Sequence, residues 1–467
     1  MTSSSDPRPQ GLSMYTRFIV RPDGDDENGG GYSVFYGGDV GVDRSDSSTA
    51  HVVFDGSAIT GTKSSSNTLI IGGSTGYTVS TADEGNVVFM YFATSGYYCS
   101  GTISTVNTSA NSWTFGSSVF NNVGTSEAMT SGRMGGALAS LGESSARMSS
   151  YSSAFVKTGT TYTLTSSSLC SASNCGTSEG PFLNQYDGIV VCAYHTTPGD
   201  YHTDPNTRAI IDSGSTTTTS VPMVKSNTDH GTNFIGLELR GNDDWDDGGN
   251  YGYYTSCVAK EFNTQGFAFQ KSATSCYADG CGYGFRSGAA IESLAIDCTD
   301  GYRICTAFRC AAVSCSGYGF LEYARQFSGV SYCAAHDCGT GFHSDGDWRG
   351  SQIGNVASSC TRGCSYNNMQ SGMAFYNCTE NEKSGHGANQ RYGTRYGTQL
   401  TQQPFNDPDN GDFTLNDTAG GGAELTATLP NWASRSIAGP QQQQSPLLES
   451  SSGGASVIPA RPIQIGA

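Results

Sequence analysis

The sequence predicts an all-β protein whose largest part is a parallel β-helix, in which short strands stack coil upon coil. First, three segments nearly repeat one another: CYADGCGYGF from Cys276, CAAVSCSGYGF from Cys310 and CAAHDCGTGF from Cys333. Second, the composition suits strands and tight turns better than helices, because 62 of the 467 residues are Gly and only 14% are charged. Third, cysteines recur at intervals that fit one coil of such a fold.

The cysteine intervals set the predicted coil length. Neighbours in the series are 18 to 27 residues apart, except that only 12 residues separate Cys298 from Cys310, so the register there stays open. Helical solenoids would need helix-forming sequence, and leucine-rich repeats would need their Leu and Asn pattern; neither is present. The series is Cys257, Cys276, Cys298, Cys310, Cys333, Cys360 and Cys378.

Stacking places equivalent residues of successive coils about 4.8 Å apart, so repeated residues are predicted to contact their own counterparts. We expect inner ladders of cysteine, alanine and phenylalanine, with glycines turning the corners. The predicted ladder members are Cys276, Cys310 and Cys333; Ala278, Ala312 and Ala335; and Phe285, Phe320 and Phe342. The predicted corner glycines are Gly284, Gly319 and Gly341.

Composition and patterning divide the rest of the chain. The spacing of Met134, Leu138 and Leu141 predicts a short capping helix over 133–148. Gly, Gln and Ser dominate the end of the chain, which predicts a flexible tail. The predicted segments are 1–16, a flexible N-terminal segment; 17–34, the first strand and cap of the β-helix; 35–130, a small inserted β domain; 131–417, the parallel β-helix; and 418–467, the low-complexity C-terminal tail.

Four stretches carry a family resemblance. FIVRPDGDDENGG from Phe18, GGALASLG from Gly135 and AFVKTGTTYTL from Ala154 resemble the opening of pectate-lyase-like right-handed β-helix proteins, where a first strand and turn lead to a capping helix and the first coil. QPFNDPDNGDFTLND from Gln403 resembles that family's final coil. The resemblance implies a right-handed β-helix and says little about activity. With its insertion, the chain is similar to uncharacterised β-helix proteins of tailed bacteriophages.

Charge and cysteine usage narrow the function classes. The net charge of −17 opposes binding to nucleic acid and to anionic lipid. No apolar run is long enough for a membrane span, and no secretory signal is visible, so we expect folding in the cytosol with reduced, buried thiols. The cysteine spacing does not match a structural zinc site, and no cofactor is expected.

An aspartate-rich loop is the first candidate binding site. In GNDDWDDGG, Trp245 lies among Asp243, Asp244, Asp246 and Asp247. A Trp face can cover a sugar ring while carboxylates accept hydrogen bonds from hydroxyls, and the aspartates are also candidate calcium ligands. The alternative is a solvated loop on an acidic protein, since the Gly and terminal Glu of a helix–loop–helix calcium site are absent.

A second loop, HSDGDWRG, follows Phe342 in the longest cysteine interval. Loops on a rigid scaffold are where binding groups concentrate. We therefore expect His343, Trp348 and Arg349 to contact carbohydrate, and we expect the same of Trp245 in the first loop. The alternative is ordinary Gly/Asp turn chemistry.

Catalytic residues are less clearly indicated. Glu322, one coil earlier, forms a candidate acid/base pair with Asp345 or Asp347, which only distances can decide. The GHG segment around His386 occurs in polygalacturonase-like enzymes, but their accompanying Asn–Thr–Asp and Arg–Ile–Lys segments are missing here.

The function that fits these observations is structural and adhesive. We expect a phage virion protein, such as a tail spike, tail fibre or capsid-attached fibre, that is assembled in the host cytoplasm and contacts host surface glycans outside. Its polar ends would dock on other virion proteins, and it would form a homo-oligomer, a trimer being one arrangement. Two alternatives stay open: a polysaccharide lyase or glycoside hydrolase, and a bacterial surface adhesin.

Overall fold

The computed structural model describes residues 16–37, 40–74, 76–139, 152–164, 182–184, 189–196, 208–214, 223–226, 231–242, 247–268, 270–323, 329–345, 352–365, 373–378 and 397–428. Nearly all regular structure in these ranges is β-strand. The helices are Val34–Gly37 and Gly422–Thr428, with single 3₁₀ turns at Thr81–Asp83 and Pro408–Asn410. Within the described ranges, no helix has the length and apolar composition needed to cross a bilayer.

The β-helix is right-handed and has three faces of parallel strands, which each coil visits in turn. Face 1 contains Phe182–Asn184, Val224–Ser226, Asp247–Asn250, Gln265–Ala268, Tyr318–Tyr323, Thr340–Asp345 and Arg362–Ser365. Face 2 contains Thr16–Val20, Ser153–Lys157, Val190–Tyr194, Asn233–Ile235, Tyr253–Thr255, Ser272–Thr274, Val330–Ser331 and Gln352–Ile353. Face 3 contains Thr161–Thr163, Ala209–Asp212, Leu237–Arg240, Val258–Lys260, Tyr277–Asp279, Leu294–Ile296, Ala311–Val313, Ala334–His336, Val356–Ser358, Met373–Tyr376 and Gly397–Leu400.

Two long strands, Tyr283–Ile291 and Asp300–Phe308, belong first to face 1 and then to face 2. At one end of face 2, Thr16–Val20, the first strand of the described residues, pairs in parallel with Ser153–Lys157. The short strand Gly31–Ser33 pairs antiparallel with it.

Stacked aromatic rings run along the inside of face 1. Phe285, Phe320 and Phe342 are buried there, as predicted, and Tyr302 fills the position between the first two. Ring centroids are 4.9 Å apart for Phe285–Tyr302, 4.6 Å for Tyr302–Phe320 and 5.0 Å for Phe320–Phe342, with interplanar angles of 8° or less. Parallel pairing sets this spacing, because each ring projects from the same position of adjacent strands.

The inner cysteines form two ladders, which corrects the single series read from the sequence. Face 3 pairs Tyr277 with Leu294, so Ser293 and not Cys298 is the counterpart of Cys276. This explains the 12-residue interval, because Cys298 belongs to the second ladder. The first ladder is Cys257, Cys276, Ser293, Cys310, Cys333 and Asn355. The second is Cys281, Cys298, Cys315, Cys338, Cys360 and Cys378.

The first ladder accepts Cys, Ser or Asn for a common reason. The Cys276 backbone N–H donates to Ser293 Oγ at 3.1 Å, and the Cys333 N–H donates to Asn355 Oδ1 at 2.9 Å. The Cys310 N–H donates in the same way to Cys333 Sγ at 3.4 Å. Ser293, Cys333 and Asn355 therefore each offer an acceptor to the backbone of the preceding coil, which a purely apolar side chain would not.

The cysteines act as small buried groups. All described cysteines are free thiols, and all except Cys378 are buried. Burial raises the pKa of the Cys276, Cys333 and Cys338 thiols well above the ordinary value. Thiols that stay protonated are poor nucleophiles, so these positions serve packing.

The predicted corner glycines do not turn corners. Gly284, Gly319 and Gly341 lie inside face 1 strands, where a side chain would collide with the next coil. A Cβ at Gly319 would lie 2.7 Å from the Gly341 carbonyl oxygen and 3.0 Å from the Ala335 Cβ. Each glycine thus leaves room for the inner alanine ladder of face 3.

Non-glycine residues with positive φ turn most of the corners, and Gly236, Gly280 and Gly354 turn three others. Between faces 3 and 1, the Asp297 N–H donates to the Val313 carbonyl at 3.1 Å, and the Ser314 N–H donates to the His336 carbonyl at 3.0 Å. The left-handed conformation costs roughly 1–2 kcal/mol in a non-glycine residue, and these inter-coil hydrogen bonds offset it. The non-glycine corner residues are Ser256, Ser275, Glu292, Arg309 and Tyr332 after face 2, and Glu261, Asp297, Ser314, Asp337, Ser359 and Asn377 after face 3.

A separate seven-stranded antiparallel sheet interrupts the chain after the first strand. It has its own apolar core around Trp113, whose Nε1–H donates to buried Asp83 Oδ2 at 3.1 Å. Its strands are Val52–Phe54, Thr60–Lys63, Thr68–Gly72, Val87–Phe92, Tyr97–Asn107, Ser112–Phe115 and Ser131–Met134.

The predicted capping helix over 133–148 is wrong for its described part. Arg133 and Met134 belong to a strand of the inserted sheet, and 135–139 is not helical. The apolar spacing has another cause: Met134 packs in the core of the inserted sheet, whereas Leu138 packs in the β-helix. Leu141 and the rest of the segment lie outside the described residues.

The C-terminal segment packs on the outer side of face 3, contrary to two expectations. Phe405–Asp407 and Asp412–Leu415 form an antiparallel hairpin, not a final coil. Leu425, in the helix Gly422–Thr428, is fully buried against face 3, so 418–428 is not a loose tail. His336 Nε2 lies 2.8 Å from Asp409 Oδ1 and joins the hairpin to face 3. Residues 429–467 lie outside the described ranges.

Truncating the aromatic stack is expected to destabilise the β-helix strongly. Phe320→Ala removes a buried ring between two stacked neighbours and should lower the free energy of unfolding by about 3–5 kcal/mol in denaturant titrations. The matched control is Phe35→Ala, whose ring is 70% exposed in the helix Val34–Gly37 and should cost much less. Equal losses for the two variants would contradict the stacking account.

The polar role of the first ladder predicts a chemical preference at Ser293. Ser293→Ala removes the acceptor of the Cys276 N–H and should cost about 1–3 kcal/mol in the same titrations. Ser293→Cys should cost less, because thiols already serve this role in neighbouring coils. If Ala were tolerated better than Cys, burial of apolar volume alone would explain the ladder.

Candidate functional site

Face 1 presents polar and aromatic side chains on either side of its buried rings. In the strand Tyr283–Ile291, Gly284 and Phe285 both pack inward. Tyr283 and Arg286, on either side of this pair, are partly exposed. Parallel register places Arg303 beside Arg286, and His343 beside Leu321 in later coils. We call Tyr283, Arg286, Arg303, Tyr318 and His343 the arginine–tyrosine surface; all five are partly exposed.

Ring contacts organise this surface. The guanidinium carbon of Arg303 lies 4.3 Å from the Tyr283 ring centroid, and that of Arg286 lies 5.8 Å from it. The rings of Tyr318 and His343 lie 4.7 Å apart at 32°. Contacts between a guanidinium and an aromatic face are attractive, so they help to fix the direction of the two arginines.

Asp300 is buried beneath the tyrosines. It is 6% exposed, and its Oδ1 accepts a hydrogen bond from the Tyr318 N–H at 3.1 Å. Burial raises the pKa of Asp300, whereas that hydrogen bond and the charge of Arg303 act in the opposite direction. The carboxyl group of Asp300 therefore links its own coil to the backbone of the next coil at Tyr318.

The arrangement is suited to binding an anionic, hydroxyl-rich ligand. Guanidinium groups pair with carboxylates in a bidentate geometry, and tyrosine combines an apolar ring with a hydroxyl group. On a chain with a net charge of −17, the adjacent Arg286 and Arg303 form a local site for negative charge.

The structure describes only part of the residues expected at a site. His343 belongs to the arginine–tyrosine surface. Glu322 is 1% exposed on the adjacent strand, opposite Ser344, and Tyr323 is opposite Asp345. Asp247 begins the face 1 strand Asp247–Asn250. The expected site residues outside the described ranges are Asp243, Asp244, Trp245, Asp246, Asp347, Trp348, Arg349 and His386.

Neither a calcium site nor a catalytic pair follows from the described residues. In the described ranges, no group of three or more His, Cys, Asp or Glu side chains converges as metal ligands would. The strands of Glu322 and Asp345 are neighbours, but Glu322 is buried and little of it reaches solvent.

Sequence reasoning missed Tyr283, Arg286, Asp300, Arg303 and Tyr318. A partial signal was present: three of the four stacked rings are followed by a basic side chain or His, namely Arg286 after Phe285, Arg303 after Tyr302 and His343 after Phe342, whereas Leu321 follows Phe320. It was hidden because the coil of Tyr302 lacks the Gly–Phe ending on which the repeat was aligned.

Comparisons with known proteins show fold-level likeness only. No family model matches the chain, and no curated protein matches it. Among solved structures, ORF18 of Geobacillus virus E2 is 12% identical with a TM-score of 0.26, covering 50% of this chain and 53% of that one. The chain thus spans about half the length of that viral protein.

Two carbohydrate-active proteins are also similar. Pectate lyase Pel9A is 16% identical with a TM-score of 0.32, covering 57% of this chain and 68% of that chain. The A-module of Azotobacter vinelandii mannuronan C-5 epimerase AlgE4 is 10% identical with a TM-score of 0.25, covering 53% and 90%. At these values the likenesses carry no argument about function, and the fold follows from the strand pairing itself.

Burial of Asp300 predicts a pH-dependent effect of its substitution. A carboxyl whose pKa is raised on folding stabilises the protein below the unfolded pKa of about 3.9, and this contribution is lost as pH rises through the folded value. Asp300→Asn retains an acceptor for the Tyr318 N–H without a charge. The melting temperature of the variant minus that of wild type should therefore increase as the pH rises from 4 to 7. A relative gain that shrinks with rising pH would contradict this account.

Proposed function

We propose that this protein is an adhesive β-helix that binds an anionic glycan along face 1. The observation that carries the proposal is the arginine–tyrosine surface, where Arg286 and Arg303 occupy neighbouring rungs. A sugar chain running along the β-helix axis would meet one rung after another. Each contact is weak, and their number along the axis raises the affinity.

Binding without turnover is the reading we favour. A glycoside hydrolase needs two carboxyl groups facing the scissile bond, about 5–9.5 Å apart. On the described part of face 1, Asp300 and Glu322 are both buried beneath the surface. The alternative function is a polysaccharide lyase or glycoside hydrolase, favoured by the neighbouring strands of Glu322 and Asp345.

The proposed biological setting is the surface of a phage particle, with a bacterial surface as the alternative. A virion appendage such as a tail spike, tail fibre or capsid-attached fibre would use the β-helix to contact a host surface glycan. A bacterial surface adhesin would use the same surface. Antibodies against the β-helix that label purified phage particles in electron micrographs support the virion role, whereas labelling of bacterial surfaces alone supports the adhesin.

Removal of one arginine is expected to weaken glycan binding. Arg303→Ala should raise the dissociation constant for an oligouronate at least about tenfold in calorimetry, because one charge-assisted contact is lost. Arg303→Lys should give an intermediate value, since it keeps the charge but loses the planar fork. Binding should also weaken with added salt.

Two controls make the result specific. Arg309→Ala removes an arginine beside face 2 and should leave oligouronate affinity unchanged, and a neutral dextran of equal length should bind poorly. Release of reducing ends is measured in the same samples. Steady release by wild type that Glu322→Gln abolishes would replace the adhesive function with a depolymerase. Trp348→Ala should also weaken oligouronate binding if Trp348 contacts the glycan as the sequence predicts.

A further inference from the structure

Between Asn233 and Ser331, the described strands of face 2 carry no charged side chain on their outer side, whereas the first strands of this face include Arg17 and Lys157. Its outward residues fall into two columns that run along the β-helix axis, and all of those named here are at least partly exposed. Most are small, hydroxylic or apolar. The columns are Asn233, Tyr253, Ser272, Ala289 and Thr306, and Ile235, Thr255, Thr274, Ile291, Phe308 and Ser331. We call these residues the neutral surface.

The neutral surface also holds the exposed aromatic residues of the β-helix. Among the described β-helix residues, only Tyr253 and Phe308 are large hydrophobic side chains classed as exposed, at 39% and 37%. Phe308 is held in place by Tyr332, whose ring packs edge-to-face at 6.0 Å, and by Arg309, whose guanidinium carbon lies 5.0 Å from the Phe308 centroid. Ordered, exposed rings in an uncharged setting are typical of binding anchors.

Within the described β-helix, the chain itself covers apolar areas on face 3 and on the first coils of face 2. The hairpin and helix at 405–428 pack on the outer side of face 3. At the first coils of face 2, Tyr194 is fully buried and packs with Ile19 and Ala137. The neutral surface begins beyond this contact and stays open to solvent in the single chain.

We infer that the neutral surface is where a second copy of this chain binds. Each copy has a net charge of −17, so copies repel one another wherever their acidic surfaces meet. Close contact between identical copies is least opposed through a surface without charge. The centres of protein interfaces are depleted of charge and enriched in aromatic residues, which matches Tyr253 and Phe308.

Charges border this surface without entering it. Arg309 Nη1 lies 3.5 Å from Glu292 Oε1 at the corner beyond the second column. Lys271 Nζ lies 5.7 Å from the Tyr253 ring centroid at the other edge. An uncharged centre with a charged rim is the usual anatomy of a specific interface, and it leaves face 1 free for glycan.

The test measures the mass of the full chain in solution. Wild type at about 10 μM should sediment as a complex of at least two 48.9 kDa chains. Phe308→Glu places a carboxylate at an anchor, and should raise the dissociation constant at least about tenfold, so that single chains predominate. Tyr253→Glu should act in the same direction.

The matched control is Tyr98→Glu, which alters a 59% exposed aromatic residue on the inserted sheet and should leave the mass unchanged. Circular dichroism melts confirm that each variant is folded. A single-chain mass for wild type at 100 μM overturns the inference. So does a complex that survives Phe308→Glu and Tyr253→Glu, or one that dissociates in high salt, because the latter would rest on charge pairs.

Discussion

Parallel pairing of successive coils is the constraint on which the rest of the structure depends. Once strands are in register, each residue lies about 4.8 Å from its counterparts in the neighbouring coils, and each position must tolerate contact with its own kind. Aromatic rings satisfy this at face 1, where Tyr302 and Phe320 stack at 4.6 Å and 4°. Alanines satisfy it at face 3, and glycines make room for those alanines.

The same constraint governs polar groups. A coil that ends on a corner leaves backbone N–H groups facing the next coil, where water cannot reach them. The corner residues with positive φ direct these groups at carbonyls in the next coil, and the first ladder supplies side-chain acceptors such as Ser293 and Asn355. Charged residues such as Glu292 and Arg309 can therefore occupy left-handed positions that usually favour glycine, because each corner is held by its neighbours.

The interior could be predicted from sequence better than the exterior. The phenylalanine ladder could be predicted because stacked positions of successive coils carry the same or similar residues. Cys276, Cys310 and Cys333 align for the same reason. The register failed at Cys298, because two cysteines per coil carry the same signal and Ser293 replaces one of them. Gly284, Gly319 and Gly341 were predicted to turn corners, whereas they lie inside strands and leave room for the alanines of face 3.

The predictions outside the ladders failed where the pattern of one segment did not show what that segment packs against. The apolar spacing of Met134 and Leu138 resembled a helix, although these residues serve two different cores. Leu425 lay in a segment whose composition suggested a flexible tail, yet a helix buries it on face 3. Outward residues such as Arg303 need not repeat from coil to coil, so the arginines after Phe285 and Tyr302 formed only an incomplete pattern, which the aligned repeat did not show. Only the register shows that Arg286 and Arg303 share a surface.

The most direct test is a structure of the protein with a bound oligouronate. The account predicts a sugar chain that runs along the β-helix axis on face 1, with carboxylates paired to Arg286 and Arg303 and rings against Tyr283 or Tyr318. A sugar chain bound on another face, or one that crosses face 1 without touching either arginine, would contradict the claim that the stacked register builds the binding surface.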